Sequence, residues 1–448
     1  MSVENTEPAG NPGSKREIFG WAMYDIANQA YTTVVISFIY SAFFVSVIVP
    51  EDSALRDTYW SIALVGSMLM AMLLSPIVGQ RIDQGASKKK LLAVSTAFCV
   101  VFTCALWFVA PGYVWLGIVL LLVSNTAWML GEAIISSFLP DISSRRNMGV
   151  ISGLGWGVGY IGGLISMILV SILIVRADPA SDLATYVRQN QWAMVAISIY
   201  FVLFAIPTFI FVKDRRNTPD PRVVDRTWLE SLDLRKTARE QPALMRFFLA
   251  FLFYTAGVQA VIKFIGIYTS AELGMSAAEL INVFLATQFS AMFGAIAFGF
   301  MDRAIGARPT LLITIGLWIV AIGSMYALQP LADLFSADPV HVFTVIALLA
   351  GTGIGSIQAS SRSLVGQLTP NARSGSAFGL WGMFMRSAAI LAAMFGVVAD
   401  VFSRQNALLM VILFFVIGAL LLLRVPLKSA LAERYAEDEQ LRQAAARE

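Results

Sequence analysis

KDRRNTPDPRVVDRTWLESLDLRKTAREQPALMR, residues 213 to 246, is a polar stretch of mixed charge set between two apolar blocks of similar length. On its N-terminal side, apolar runs lie near 22–49, 58–79, 91–110, 113–137, 150–174 and 191–212. On its C-terminal side they lie near 247–268, 278–300, 310–328, 341–364, 377–399 and 405–424. Each is close to the roughly 20 residues that carry a helix across the hydrocarbon of a bilayer. The reading is therefore twelve spanning helices in two sets of six, with 213–246 as the linker. Residues 1–17 form a polar N-terminal segment, 18–212 and 247–424 the two six-helix halves, and 425–448 a polar tail.

Composition agrees. Of 448 residues 57% are hydrophobic and 14% charged, against about 25% charged in an ordinary soluble domain. Backbone polar groups inside a bilayer must be satisfied within each segment, which predicts an all-α integral membrane fold. Of the 32 lysines and arginines, 26 fall on the side of the termini and four on the other: Arg56, Arg176, Arg188 and Arg404. Positive residues stay cytoplasmic, so both termini are expected inside, in a multi-pass protein of the plasma membrane. The first seventeen residues have no apolar core of a cleavable signal, which leaves insertion to the first span.

Several function classes are disfavoured. A net charge of +3 is too small to argue for nucleic acid. Cys99 and Cys104 share one apolar span, a spacing that suggests neither a metal site nor a disulfide, and no cofactor is expected. The single histidine, His341, stands at a helix entrance, and no serine or cysteine has a plausible base, so an enzyme is not expected. The glycines from Gly153 to Gly163 follow no strand and are not a dinucleotide fingerprint. Instead Gly155, Gly159 and Gly163 make a small-residue face, and Ala291, Ala295 and Gly299 make another on the eighth span. The two faces are expected to meet.

Internal offsets suggest duplication. Asp83 after the second span is matched 219 positions later by Asp302 after the eighth, and Trp156-Gly157 is matched 225 positions later by Trp381-Gly382. Repeats of this kind place a solute site between the halves near the bilayer midplane.

Ionisable residues inside spans cost about 2.5–3.5 kcal/mol each at a helix centre, so they need water, a partner or a substrate. Asp25, Asn28, Gln29 and Thr32 share an arc of the first span, and Asn125, Trp128 and Glu132 an arc of the fourth. Thr255, Gln259 and Lys263 form an i, i+4, i+8 row on the seventh span, and Thr352, Ser356 and Ser363 follow one side of the tenth. With Arg386 of the eleventh span, these residues are expected to converge on a shared wet cleft. Acidic Asp25 and Glu132 lie in the first half, basic Lys263 and Arg386 in the second. One reading has Lys263 and Arg386 holding an anionic group while Glu132, or Asp25, carries a proton or sodium ion. The plainer reading pairs Glu132 with a base across the halves, lets Lys263 reach the membrane interface, makes Asp25 an anchor or cap, and sets Arg362 at a gate or headgroup. A channel, scramblase or sensor also uses polar stripes; concentrative transport separates a carrier from these.

GQRIDQGASKKK at 79–90 and FGFMDRAIGARP at 298–309 resemble the acidic and basic loop signature of the major facilitator superfamily. WAMYDIANQAYTTVV at 21–35, FLPDISSRRNMGVISGLGWGVGYIGGL at 138–164, YTAGVQAVI at 254–262 and GIGSIQASSRSLVGQLTPNARSGSAFGLWG at 353–382 are similar to the bacterial branch of its vacuolar effluxer-like, autophagy-related family. The sequence departs from those patterns at Gln84, Ala86, Thr255, Ala256 and Ser376. The resemblance implies two pseudo-symmetric halves, a central cavity lined by spans 1, 4, 7 and 10, and a cytoplasmic gate built from Asp83, Lys88, Arg145, Asp302, Arg303 and Arg362. It also implies secondary transport of a small polar solute, an amino acid or related carboxylate, by a carrier expected to be monomeric and coupled to a proton or sodium gradient.

Overall fold

The computed structural model describes residues 13–215 and 224–445. Residues 1–12, 216–223 and 446–448, which belong to the expected N-terminal segment, linker and tail, lie outside the described residues. Among the described residues, twelve helical spans are long and apolar enough to cross a membrane. The first six are α1 (Lys15–Ile48), α2 (Arg56–Asp83), α3 (Lys88–Phe108), α4 (Val114–Ile142), α5 (Arg145–Ile174) and α6 (Leu183–Phe211). The second six are α7 (Pro242–Gly266), α8 (Glu279–Ile305), α9 (Ala307–Tyr326), α10 (Pro339–Leu368), α11 (Asn371–Val401) and α12 (Arg404–Leu423). A polar helix, α13 (Leu427–Ala445), follows. There is no strand among the described residues.

Local chemistry moves several helix starts outward from the apolar runs. Ser14 and Glu17 form a capping box that begins α1 at Lys15. Pro242 sits in the first turn of α7, where its missing N–H costs nothing, so the linker ends at Gln241 and not at Arg246. A tight turn at Asn371–Arg373 leads directly into the helix of α11, which starts before 377. Ser87 accepts from Lys90 N at 3.0 Å and opens α3.

Each half has its own apolar core. Trp21, Tyr31, Leu121 and Met194 belong to the first, Phe247, Trp318, Trp381 and Phe415 to the second. Apolar side chains such as Ile199, Leu203, Ile210 and Val320 point outward and exposed, which a lipid surround tolerates and water does not.

The halves meet through glycines, on a different face from the one expected. Gly153 lies against Ala295 O and Gly299, and a methyl on it would sit 3.1 Å from Gly299 Cα. A methyl on Gly157 would sit 2.7 Å from Ile296 Cγ1. The row that meets α8 is thus Gly149, Gly153 and Gly157. The row Gly155, Gly159 and Gly163 packs instead on Trp21, Asp25, Gln29 and Thr33 of α1, within the same half. Two residues turn a helix by about 200°, so rows offset by two occupy opposite faces. Ala295 meets both Gly153 of α5 and Gly355 of α10, and Ala291 meets Gly355.

Candidate functional site

On the side of the molecule carrying the termini, polar contacts bridge the two halves. At the end of α2, the Asp83 carboxylate accepts the backbone N–H groups of Gly375 and Ser376, 2.8 Å each, and the Ser376 hydroxyl. These are first-turn groups of α11, where an anion complements the helix dipole. Gly79, one turn earlier, has no side chain to hold the backbone of Gly375 away. Lys88 is buried and donates to Asp141 Oδ2 at 2.7 Å, Ser137 O at 3.0 Å and Ser374 Oγ at 2.9 Å, tying α3 and α4 to the start of α11. In the second half Asp302 lies against Gly149 in the opening turns of α5, with Gln367 Nε2 3.4 Å from Oδ1. Below them, Arg434 of α13 donates to Gln367 O at 2.8 Å and to Asn371 Oδ1 at 3.2 Å.

Among the described residues, two buried ion pairs cross between the halves. Arg362 of α10 binds Asp25 of α1 with both terminal nitrogens, at 3.1 and 2.9 Å, and reaches Ser152 Oγ and O at 3.1 and 3.0 Å. Its guanidinium carbon lies 4.5 Å from the Trp21 ring centroid and 5.4 Å from that of Trp156. Glu132 of α4 accepts from Arg386 of α11 at 2.7 Å. The Arg386 guanidinium lies 5.7 Å from the Trp128 ring, which stacks on Tyr31 at 5.8 Å. Arg386 Nε and Trp128 Nε1 are buried and have no hydrogen-bond partner among the described residues.

The remaining candidates divide. Lys263 of α7 donates to Ala389 O on α11 at 2.8 Å, three residues beyond Arg386, and so meets the same helix about one turn away. Gln29 accepts from the Thr32 hydroxyl at 3.1 Å, and both are half-buried. Asn28 is buried, its Oδ1 without a partner among the described residues. Asn125 turns away from the second half and donates to Ser67 Oγ of α2 at 2.7 Å. Ser356 is buried and bonds back to Gly353 O of its own helix, Thr352 does the same to Leu348 O, and Ser363 accepts from Gln367. The polar side of α10 is therefore largely turned onto itself. Thr255 is buried and Gln259 half-buried on α7. Arg145 and Arg303 are exposed at the ends of α5 and α8.

Toward the opposite side, Phe38 of α1 meets Phe284 of α8 with ring centroids 4.4 Å apart. Here α1 is irregular, with wide π-helical turns at Thr32–Phe38 and Phe44–Ile48. Such turns often mark functional positions. Sequence reading passed over Ser152, Trp21 and Trp156, which enclose Arg362, and Ser374, which receives Lys88. Trp21 stands inside a longer motif and Trp156 in the repeated Trp-Gly pair, and an aromatic in a span carries no mark of the cation it will face.

Comparison with known proteins agrees with this architecture. The model of the family described as vacuole effluxer Atg22 like matches residues 59–434. The uncharacterized MFS-type transporter YxiO of Bacillus subtilis is 27% identical over 412 residues, covering 91% of this chain and 94% of that protein. Autophagy-related protein 22-2 of Aspergillus clavatus is 22% identical over 270 residues, 56% of this chain and 43% of that longer protein. Among solved structures, a bacterial homologue of the iron transporter ferroportin in its outward-facing state superposes with a TM-score of 0.68 at 14% identity, covering 92% of this chain and 98% of that one. At that identity the likeness speaks for the major facilitator fold alone.

Proposed function

Because the chain belongs to the vacuole effluxer Atg22-like family, we propose that this membrane transporter moves a small carboxylate-bearing solute, an amino acid or related acid, by alternating access between its two halves. The observation that carries the reading is the charge balance against α11. Two cations meet α11 about one turn apart, Arg386 paired with Glu132 and Lys263, exposed on α7, with the Ala389 carbonyl. Lys263 is met by a neutral carbonyl, and Arg386 Nε and Trp128 Nε1 keep unused donors. A solute carboxylate satisfies this surplus where a neutral solute does not.

The same geometry supports a coupling step. A solute carboxylate that takes Arg386 displaces Glu132, whose charge then stands unpaired at costly depth. Binding a proton, or a sodium ion, removes that cost, so solute and cation are held together. The positive-inside bias supports a cytoplasmic side for the termini, and on this reading the Asp83 and Lys88 contacts close the carrier toward the cytoplasm of a bacterial-type plasma membrane.

The test is uptake by reconstituted vesicles of labelled amino acids and organic acids. The wild type should accumulate a carboxylate solute when a pH or sodium gradient is imposed. Glu132→Gln should lose that accumulation while keeping exchange of solute for solute. Full gradient-driven accumulation by Glu132→Gln overturns the coupling assignment, and unchanged affinity in Lys263→Ala and Arg386→Ala removes the anion site. Movement that merely equilibrates the solute in the wild type favours a channel or scramblase.

A further inference from the structure

Arg362 belongs to the second half, yet each polar or aromatic partner described around its guanidinium comes from the first. Asp25 supplies both carboxylate oxygens, Ser152 its hydroxyl and carbonyl, and Trp21 and Trp156 their ring faces. Gly155 leaves the space. A methyl there would lie 2.7 Å from the Trp21 ring and 2.8 Å from Arg362 Nη2. The result is a preformed receptacle on α1 and α5, plugged by a side chain from α10. Both members of the ion pair are almost fully buried, with side-chain exposures of 2% and 8%.

Alternating access, on which this inference rests, requires α10 to part from α1 and α5 when the side of the termini opens. Arg362 then leaves, and its receptacle faces the opened passage with a carboxylate at its base. Leaving Asp25 there as a bare charge is costly at membrane depth. We propose that the vacated receptacle is a binding site for a guanidinium or primary ammonium group, for which Arg362 is the internal stand-in. The planar fork of a guanidinium matches a carboxylate in bidentate fashion and lies flat against an indole. A primary ammonium satisfies the carboxylate and one ring but not the fork, and so binds more weakly. A compact sodium ion cannot meet the carboxylate, the Ser152 oxygens and both ring faces at once as a flat guanidinium does. A solute carrying both a cationic group and a carboxylate would engage this receptacle and Arg386 together.

Arg362→Ala and Arg362→Gln vacate the receptacle permanently. Methylguanidinium, methylammonium and sodium chlorides are titrated by calorimetry into each purified variant in nanodiscs, and into Asp25→Asn/Arg362→Ala. Saturable methylguanidinium binding to the single variants is expected, at least about tenfold tighter than methylammonium, and lost in the double variant. Gly155→Ala added to Arg362→Ala should weaken it as well. No saturable binding to either single variant, or equal binding to the double variant, overturns the site.

The wild type gives an independent reading that does not depend on those variants folding. Methylguanidinium should compete with Arg362 for Asp25 and raise amide hydrogen exchange in peptides covering Gly79–Asp83 and Ser374–Trp381, relative to equal sodium chloride. Unchanged exchange there overturns the proposal. Failure of the carrier reading is seen separately, as absence of gradient-driven uptake by wild-type vesicles.

Discussion

Asp83 and Asp302 hold matching places at the ends of α2 and α8 on the side of the termini, but their surroundings are unequal. Asp83 accepts two main-chain N–H groups and a hydroxyl from α11, whereas Asp302 Oδ2 is buried with no hydrogen-bond partner among the described residues. Hydrogen bonds to a charged group are worth about 1.5–3 kcal/mol. Asp83→Asn should therefore raise the population open on the side of the termini by roughly 10- to 100-fold. Asp302→Asn removes a poorly satisfied charge and should leave that population unchanged or lower it. Hydrogen exchange across Ser374–Trp381 measures both, and equal effects of the two substitutions would show that the asymmetry has no energetic content.

Gly153 and Gly316 differ only in what surrounds them. A methyl on Gly153 presses on the backbone of Ala295 and Gly299 across the halves, while Gly316 has open space around it. Gly153→Ala should shift α5 away from α8, lower the melting temperature and cut transport several-fold. Gly316→Ala should be neutral or stabilising by up to about 1 kcal/mol, through helix propensity alone. Thermal unfolding in one detergent, followed by vesicle uptake, separates them.

Much of the fold could be read from hydropathy because a bilayer forces one solution on every apolar run of spanning length. The paired loops at Asp83 and Asp302 were legible for a similar reason, since a charged motif repeated at half-chain offset marks a repeated unit. The partnerships were not. Asp25 and Arg362 are 337 positions apart, Glu132 and Arg386 254, and periodicity fixes which residues share a helix face without fixing which neighbour that face meets. The glycines show the same limit: two small-residue rows on α5 are offset by two positions, and only packing decides that Gly149, Gly153 and Gly157 meet α8 while Gly155, Gly159 and Gly163 meet α1. Asn125 and Ser356 look alike in sequence to residues that face the other half, but one is drawn to Ser67 and the other to its own helix.

Phe38 and Phe284 touch where α1 is irregular, on the side away from the termini. An aromatic pair is worth about 0.5–1.5 kcal/mol beyond area burial, so its loss should open that side by roughly 2- to 10-fold. With Cys99 and Cys104 replaced by alanine, Phe38→Ala should speed thiol labelling of Thr32→Cys by this factor. An unchanged rate would remove Phe38 from the barrier.

Glu132 and Arg386 bind one another across the halves at 2.7 Å, both largely buried, so a stability cycle tests their pairing without knowledge of the solute. Arg386→Met leaves the Glu132 charge unmatched, and breaking a buried pair by removing one member costs about 3–5 kcal/mol. Glu132→Gln/Arg386→Met removes both charges and should recover most of that loss. The signs follow from desolvation: a lone buried charge is expensive, two neutral side chains of similar volume are not. Melting temperatures of the two single variants and the double variant in matched nanodiscs give the coupling. A double variant no more stable than Arg386→Met alone would mean that Glu132 is hydrated when Arg386 is gone. Displacing it with a solute carboxylate would then carry no penalty for a proton to relieve.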